Sequence, residues 1–155
     1  MSARSAITKK LAEEVSSKLN GTGYYQTNLY GNCGNSSKLF EQIQDFPYVS
    51  ITPGPEDRRE EPSRQTFADL TVYFRVYVKS EEEAQEELEA IISDLETFID
   101  THQRIRYNYV IGEETLENET IQCNIAAIKT DEGLLAPYGA GEIAVNIQYE
   151  KTRLM

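Results

Sequence analysis

The most regular alternation of apolar and polar residues in the chain runs from Thr66 to Lys79. Every second residue of this stretch is apolar, and polar residues or tyrosines stand between them; the apolar set is Ala68, Leu70, Val72, Phe74, Val76 and Val78. A period of two sustained over this length indicates a β-strand with one buried side and one side facing solvent. We therefore predict one long strand at the centre of the fold.

A second pattern follows at once and predicts an amphipathic helix from Glu81 to Asp100. Its apolar residues recur at spacings of three and four, which places them on one helix face: Ala84, Leu88, Ile91, Ile92, Leu95, Phe98 and Ile99. Ser80 is the predicted N-cap, and Glu83 would complete a capping box. An earlier helix is predicted from Ser5 to Leu19, because Ile7, Leu11, Val15 and Leu19 lie four residues apart.

Shorter patterns predict the remaining strands. Apolar alternation predicts three strands, which span Tyr48–Thr52, Glu119–Thr130 (with Ile121, Cys123, Ile125 and Ala127 inward) and Glu142–Glu150. Tyr24–Tyr30 lacks clean alternation and is interpreted as an irregular edge strand. Leu39–Ile43 is compatible either with a short strand or with one turn of helix.

Four segments between these elements are predicted to be irregular. Gly31–Ser37 is rich in glycine and asparagine, and His102–Tyr109 is expected to be a short link. Pro53–Gln65 is a long, charged, proline-rich loop, and Asp131–Gly141 is expected to be a flexible loop with two leucines near its middle. Loops of such length are usually functional or disordered.

This order of elements predicts an α+β fold. We expect the 155 residues of the chain to form a single two-layer domain, residues 1–155, with a mostly antiparallel sheet and two helices packed on one face. The opposite face of the sheet would then be polar and rich in tyrosine. Such a face can either stand in water or meet a neighbouring protein.

The net charge of −11 is concentrated in one place. The segment from Glu81 to Asp100 holds nine acidic residues and no basic residue. This charge argues against a nucleic-acid-binding protein, because phosphate contacts need clustered lysines and arginines. The acidic helix is either a solubilising face or a face that binds a partner.

The residue types that catalysis requires are scarce. The single histidine, His102, follows a helix, where it is expected to cap carbonyl groups. Two cysteines that are far apart in sequence, Cys33 and Cys123, supply neither a metal cluster nor a disulfide framework, although one disulfide between them stays open. We therefore predict no enzymatic activity, no cofactor and no metal site.

The N-terminus lacks an apolar signal-peptide core, and no segment is apolar enough to span a membrane. We therefore expect a protein that is cytosolic where it is made and binds no membrane.

Two groups of residues are candidates for an interface. The first lies in the charged loop, which is either a disordered connection or a segment that orders against another subunit; its candidate residues are Arg58, Arg59, Glu60, Glu61 and Arg64. The second group lies on the polar side of the long strand and consists of Tyr73, Arg75 and Tyr77.

The chain resembles the tail terminator proteins of tailed bacteriophages, also called tail completion or minor tail proteins. The resemblance covers nearly the whole chain and lies in the order of the elements, the size of the chain and the general pattern of its residues. It is carried by the N-terminal helix, the charged loop and the segments FPYVSITPG, FADLTVYFRVYVK, SEEEAQEELEAIISDLETFI, IQCNIAAIKTDEG and GEIAVNIQYE.

The resemblance implies a structural virion protein without cofactor or catalysis. Such proteins form hexameric rings on the head-proximal end of the tail tube, stop its polymerisation, and present a surface to neck or head-completion proteins. DNA passes through the ring without specific binding. The expected partners are other copies of the chain, the major tail tube protein and a neck protein, and the expected location is the virion tail, after assembly in the host cytoplasm. The resemblance carries over no functional residue.

Three alternatives remain open on the sequence alone. The chain is compatible with another neck or connector protein of the head-tail junction. It is also compatible with a small cytosolic adaptor that binds basic segments through the acidic helix. An enzyme or small-ligand binder would need a pocket with convergent polar groups near His102.

Overall fold

The computed structural model describes residues 2–36, 38–62 and 65–151. These residues form an α+β architecture with two helices and six strands. In chain order the elements are α1 (Ala3–Lys18), β1 (Cys33–Gly34), a 3₁₀ helix (Phe40–Gln42), β2 (Tyr48–Glu60), β3 (Thr66–Lys79), α2 (Ala84–Thr101), β4 (Arg106–Ile111), β5 (Glu114–Thr130) and β6 (Tyr138–Lys151).

The strands form one sheet in the order β1-β2-β3-β6-β5-β4. The short β1 runs parallel to β2, and every other neighbouring pair is antiparallel. The first part of β5 pairs with β4 and the rest of it pairs with β6, so the sheet curls along this strand. The sheet is therefore mixed, with β3 and β6 at its centre.

One hydrophobic core joins the sheet to both helices. The apolar side of β3 is fully buried, as the sequence predicts, and belongs to the same cluster as the buried faces of α1 and α2. Helix α1 packs against β1, β2 and β4, and α2 packs against β3, β5 and β6. Because β2 and β4 lie toward opposite ends of the sheet order, α1 fills the space that the curled sheet leaves between them.

Helix α2 begins at Ala84, three residues later than predicted. The Ser80 hydroxyl accepts a hydrogen bond from the Glu83 backbone N–H at 3.1 Å, but this bond closes a turn before the helix, and the N-cap position belongs to Glu83. The predicted capping box is therefore wrong, because the serine stabilises the turn that leads from β3 into the helix. Helix α1 begins and ends within two residues of its predicted bounds.

The predicted loop Pro53–Gln65 is largely strand, which corrects the sequence analysis. Strand β2 continues to Glu60 and pairs with the first half of β3, with a bulge between Pro53 and Glu56. This part of β2 lies beyond the two residues that pair with β1, and it is exposed at most positions. Its partly buried positions hold Gly54 and Glu56 and no apolar side chain, so the alternation used to predict strands is absent.

Other predicted bounds also change. The predicted link His102–Tyr109 contains most of β4, and β6 begins at Tyr138, inside the predicted loop Asp131–Gly141. Tyr24–Tyr30 forms only a single bridge, from Asn28 to Asn20, and the ambiguous segment around Phe40 is a 3₁₀ helix.

The inward side of β5 is only partly as predicted. Cys123 is buried and Ile125 is partly buried, but Ile121 and Ala127 are exposed. Bulges between Thr120 and Gln122 and between Ile125 and Ala127 shift the register along the strand. Each bulge moves the following side chains to the other face, so a continuous alternation fails here.

A side-chain amide covers part of the free edge of β5. The Cys123 backbone N–H donates to Gln103 Oε1 at 3.1 Å, and Gln103 Nε2 donates to the Cys123 carbonyl at 2.7 Å. Gln103 thus makes the pair of hydrogen bonds that a neighbouring strand would make.

No helix among the described residues is both long and apolar enough to cross a membrane.

Replacing Gly139 with alanine is expected to destabilise the fold by about 1–3 kcal/mol. Gly139 is buried on β6, and a Cβ at this position would lie 2.7 Å from Val78 Cγ2 and 3.7 Å from Leu88 Cβ. Urea unfolding followed by circular dichroism measures the loss. The control is Ala126→Ser on the exposed side of β5, which should change stability by no more than about 0.5 kcal/mol. An unchanged urea midpoint for Gly139→Ala would contradict this packing.

Candidate interaction surfaces

The three predicted residues of the long strand lie together on the side of β3 that faces away from the core. The Arg75 guanidinium donates to Glu142 Oε2 and to Thr52 Oγ1, both at 3.1 Å, and its central carbon lies 4.8 Å from the Tyr73 ring centroid. All three are half-buried. Arg75 therefore ties β2, β3 and β6 together, and this outer face is an ordered polar surface.

An aromatic cluster covers one end of the outer face. Tyr77 contacts Phe40 and Tyr48, with ring centroids 5.2 and 6.4 Å apart. Tyr138 contacts Phe40 and Phe46, at 5.1 and 5.9 Å. Burial raises the pKa of Tyr77 and of Tyr48 above the ordinary value. The segment around the 3₁₀ helix thus packs on this face, which the sequence does not indicate because its aromatic residues follow no period.

The charged candidates occupy the exposed end of β2. Arg58, Arg59, Glu60 and Glu61 are all exposed, whereas Arg64 lies outside the described residues. Arg59 pairs with Asp69 on the outer face at 3.3 Å, and Arg58 lies 3.3 Å from Glu56. Successive residues of a strand point to opposite faces. The structure therefore divides these charges between the two sides of β2 and does not gather them in one patch.

A buried polar network lies beneath this end of β2. The Glu56 side chain is 5% exposed, and its carboxylate accepts a hydrogen bond from the Tyr149 hydroxyl. Arg4, at the start of α1, donates to the Gly54 carbonyl at the β2 bulge. Burial, and then the bond to Glu56, raise the pKa of Tyr149 well above its usual range. The network joins α1, β2 and β6.

Sequence reasoning missed this network because Glu56 and Tyr149 are 93 residues apart. Two prolines precede Glu56 and a run of charged residues follows it, so the sequence gives no sign that its carboxylate is buried.

The hydroxyl of Tyr107, on β4, is buried without a hydrogen-bond partner among the described residues. Burial raises the pKa of Tyr107 as well.

The histidine has the structural role that the sequence predicts. Lys18 Nζ lies 2.7 Å from His102 Nε2, and because a lysine ammonium can only donate, Nε2 is the acceptor. His102 Nδ1–H then donates to the Phe98 carbonyl at 2.8 Å, at the end of α2. Within residues 2–36, 38–62 and 65–151, no cluster of His, Cys, Asp and Glu is arranged to hold a metal ion.

Both cysteines are free, and their thiols are sheltered. Burial raises the pKa of Cys33 to about 12 and that of Cys123 to about 11. Since the thiolate is the reactive form, this shift lowers the reactivity of both thiols at neutral pH.

The acidic helix presents most of its carboxylates to solvent. The exposed acidic residues at and before its first turns are Glu81, Glu82, Glu83, Glu86, Glu87 and Glu89. Asp94 is different, because its Oδ2 accepts from the Thr27 backbone N–H at 2.8 Å and from the Thr27 hydroxyl at 2.7 Å. Asp94 therefore anchors the segment after α1 to α2, and the other carboxylates are free to meet a partner.

Comparison with known proteins gives consistent results over the whole chain. The model of a family described as Bacteriophage Tail Tube Terminator Protein matches residues 1–155. The chain is 35% identical over 156 residues to the tail tube terminator protein p142 of Escherichia phage T5, covering 99% of this chain and 97% of that protein. A chain in the virion of a native gene transfer agent particle shares the fold with a TM-score of 0.56 at 11% identity, covering 97% of this chain and 100% of that one.

Proposed function

This chain belongs to the bacteriophage tail tube terminator family, and from that premise we propose that it forms a hexameric ring at the head-proximal end of the tail tube. It is a structural protein of the virion tail and not an enzyme. In this proposal the ring stops polymerisation of the tube and offers the surface to which the head or neck attaches. The observation that carries the proposal is the family match over residues 1–155.

In this proposal one face of the sheet forms the core and the other face contacts partner proteins. Helices α1 and α2 share one core with the inner side of β3, and in this proposal both helices cover the same face of a single domain. The outer face, with Tyr73, Arg75 and Tyr77, and the charged end of β2 are then left for contact with a neighbouring subunit, the major tail tube protein or the neck protein. Their polar, ordered side chains suit a surface that must be stable both alone and in contact with a partner.

The charge of the chain suits a passage for DNA. With a net charge of −11 per subunit, a ring repels the phosphate backbone, so DNA slides through without specific binding. Assembly would take place in the host cytoplasm, before the tail joins the head. No observation favours an acidic adaptor over this assignment.

Tube length tests the proposal directly. Tube protein is expressed with and without this chain, and tubes are measured by negative-stain electron microscopy. The expected result is long tubes without a ring when the chain is absent, and shorter tubes with a six-fold ring at one end when it is present. Tubes of the same length distribution in both cultures would overturn the proposal.

Reversing the charge of Arg59 to glutamate is expected to weaken docking while leaving the fold intact. The Arg59 side chain is 53% exposed, and its ion pair with Asp69 is a surface pair worth at most about 1 kcal/mol. Arg58 is left unchanged, because it is the partner of the buried Glu56 carboxylate. The same tube assay reads the effect as a loss of capped ends. The matched control is Arg104→Glu, whose exposed side chain lies at a different surface. Normal capping by Arg59→Glu would show that this residue at the end of β2 makes no docking contact.

A further inference from the structure

The loop between β5 and β6 displays two leucines on a rigid frame. Asp131 fixes the loop, because its carboxylate accepts hydrogen bonds from the backbone N–H groups of Leu135 at 3.1 Å and Ala140 at 3.4 Å. Two turns add backbone bonds from Leu134 to Asp131 and from Tyr138 to Leu135. At its tip Leu134 is 84% exposed and Leu135 is 44% exposed. An apolar tip that is already ordered loses little conformational freedom on binding.

The leucine tip stands beside negative charge. The Ser80 backbone N–H donates to the Pro137 carbonyl at 2.9 Å, which holds the loop against the start of α2. Glu132 lies in the loop, and the exposed residues Glu81, Glu82 and Glu83 directly follow Ser80. The surface therefore combines an apolar tip with an acidic rim.

A groove of about 350 Å³ between α1 and β4 has the complementary character. Its apolar lining includes Ala6 and Val110, and Val110 is 44% exposed. Its cations are Lys9, Lys10 and Arg106, and Glu13 also lines it. Lys10 pairs with Glu14 at 3.4 Å and Arg106 with Glu119 at 3.2 Å. Lys9 makes no ion pair within the described part of the chain.

The tip and the groove lie at opposite ends of β5 and cannot meet within one molecule. Thr115 lines the groove and Thr130 precedes the tip, and the 15 residues of curled strand between them span less than the roughly 50 Å of a straight strand. We propose that subunits associate head to tail, with the Leu134–Leu135 tip of one copy seated in the α1–β4 groove of the next. A contact between two different surfaces of the same chain closes into a ring when its rotation allows. This inference rests on the proposed ring and names its subunit contact.

Site-directed cross-linking tests the contact. Full-length Leu134→Cys and Val110→Cys variants are mixed with tail tubes present, oxidised and run on a non-reducing gel. A cross-linked dimer is expected only in the mixture, and a Leu134→Cys/Val110→Cys double variant should give a ladder that ends at the ring size. Cys123 is buried, and all variants carry Cys33→Ser because Cys33 is only partly buried.

Several results would overturn the contact. A dimer from Leu134→Cys alone indicates a symmetric contact, and a dimer of Leu134→Cys with Tyr24→Cys places the tip in the hollow at the C-terminal end of α1. Absence of any cross-link, although particle mass shows assembly, also excludes the contact but leaves the ring. Absence of assembled copies, both in solution and on tubes, overturns the ring itself.

Charge reversal gives an independent measurement. Lys9→Glu with Lys10→Glu should weaken self-association by about tenfold or more at low salt, because the acidic rim then faces like charge. Glu81→Lys with Glu82→Lys on the same chain should restore association. Failure of this rescue, with both double variants folded by circular dichroism, would overturn the proposed pairing of rim and groove.

Discussion

Replacing Phe74 with alanine is expected to lower the free energy of unfolding by about 3–5 kcal/mol. Phe74 is fully buried at the middle of β3, where it faces Ile51 on β2 and Ile143 on β6 in the sheet register. Its removal leaves a cavity at the point where the central strands meet the core. Because domains have a total stability of about 5–15 kcal/mol, this single change approaches complete unfolding.

Urea unfolding, followed by far-UV circular dichroism, measures the Phe74→Ala effect. Thr71→Ala on the same strand is the matched control, since its side chain points to the outer face and is only half-buried. The control is expected to unfold within about 0.5 kcal/mol of the unmodified protein. Equal losses for the two variants would contradict the assignment of faces on β3.

Removing the hydroxyl of Tyr149 is expected to cost about 1–3 kcal/mol, because Tyr149→Phe takes a donor from a buried carboxylate. The Glu56 side chain is 5% exposed and accepts a hydrogen bond from this hydroxyl. Without that donor, the remaining partner of the Glu56 carboxylate is Arg58, whose Nε lies 3.3 Å from Glu56 Oε2. The Arg58 side chain is itself 55% exposed to solvent. A double-mutant cycle with Glu56→Leu isolates the bond, and Tyr24→Phe, at an exposed tyrosine, is the control.

The same bond predicts a dependence of stability on pH. Burial and the contact with Glu56 raise the pKa of Tyr149 in the folded state, so the folded protein holds this proton more tightly than the unfolded chain. Its contribution is complete below the unfolded value of 10.0 and is lost as the pH rises above it. The decline in unfolding free energy above that pH should be shallower in Tyr149→Phe. An identical decline would show that the hydroxyl is not buried.

The pattern of apolar residues predicts a strand correctly in this chain where one face of that strand is buried along its whole length. Strand β3 has core on one side along its length, so its alternation is unbroken and its bounds are predicted correctly. The second half of β2 is largely exposed and has Gly54 and Glu56 at its partly buried positions, so it shows no apolar alternation, and the Pro53-Gly54-Pro55 run resembles a loop. On β5, two bulges change which face a residue occupies, and local spacing cannot reveal a bulge that the pairing with β6 imposes.

Interaction surfaces depend on contacts between distant parts of the chain. Tyr73, Arg75 and Tyr77 share a face because of strand geometry alone, and the sequence predicts this. The aromatic cover over Tyr77 and the carboxylate of Glu56 beneath β2 come from segments that meet only in the folded chain. The frame around Leu134 likewise depends on hydrogen bonds to Asp131, which turn a predicted flexible loop into an ordered tip.

The edges of the sheet have a consequence for assembly at high local concentration. An open strand edge is a template for amyloid-like aggregation. On β2, Pro53 and Pro55 have no N–H to offer to an approaching strand, and on β5 the Gln103 amide already occupies the backbone groups of Cys123. A molecule that ends a polymer must not itself grow into an open-ended fibre. At these two positions side chains, and not backbone groups, meet an approaching copy.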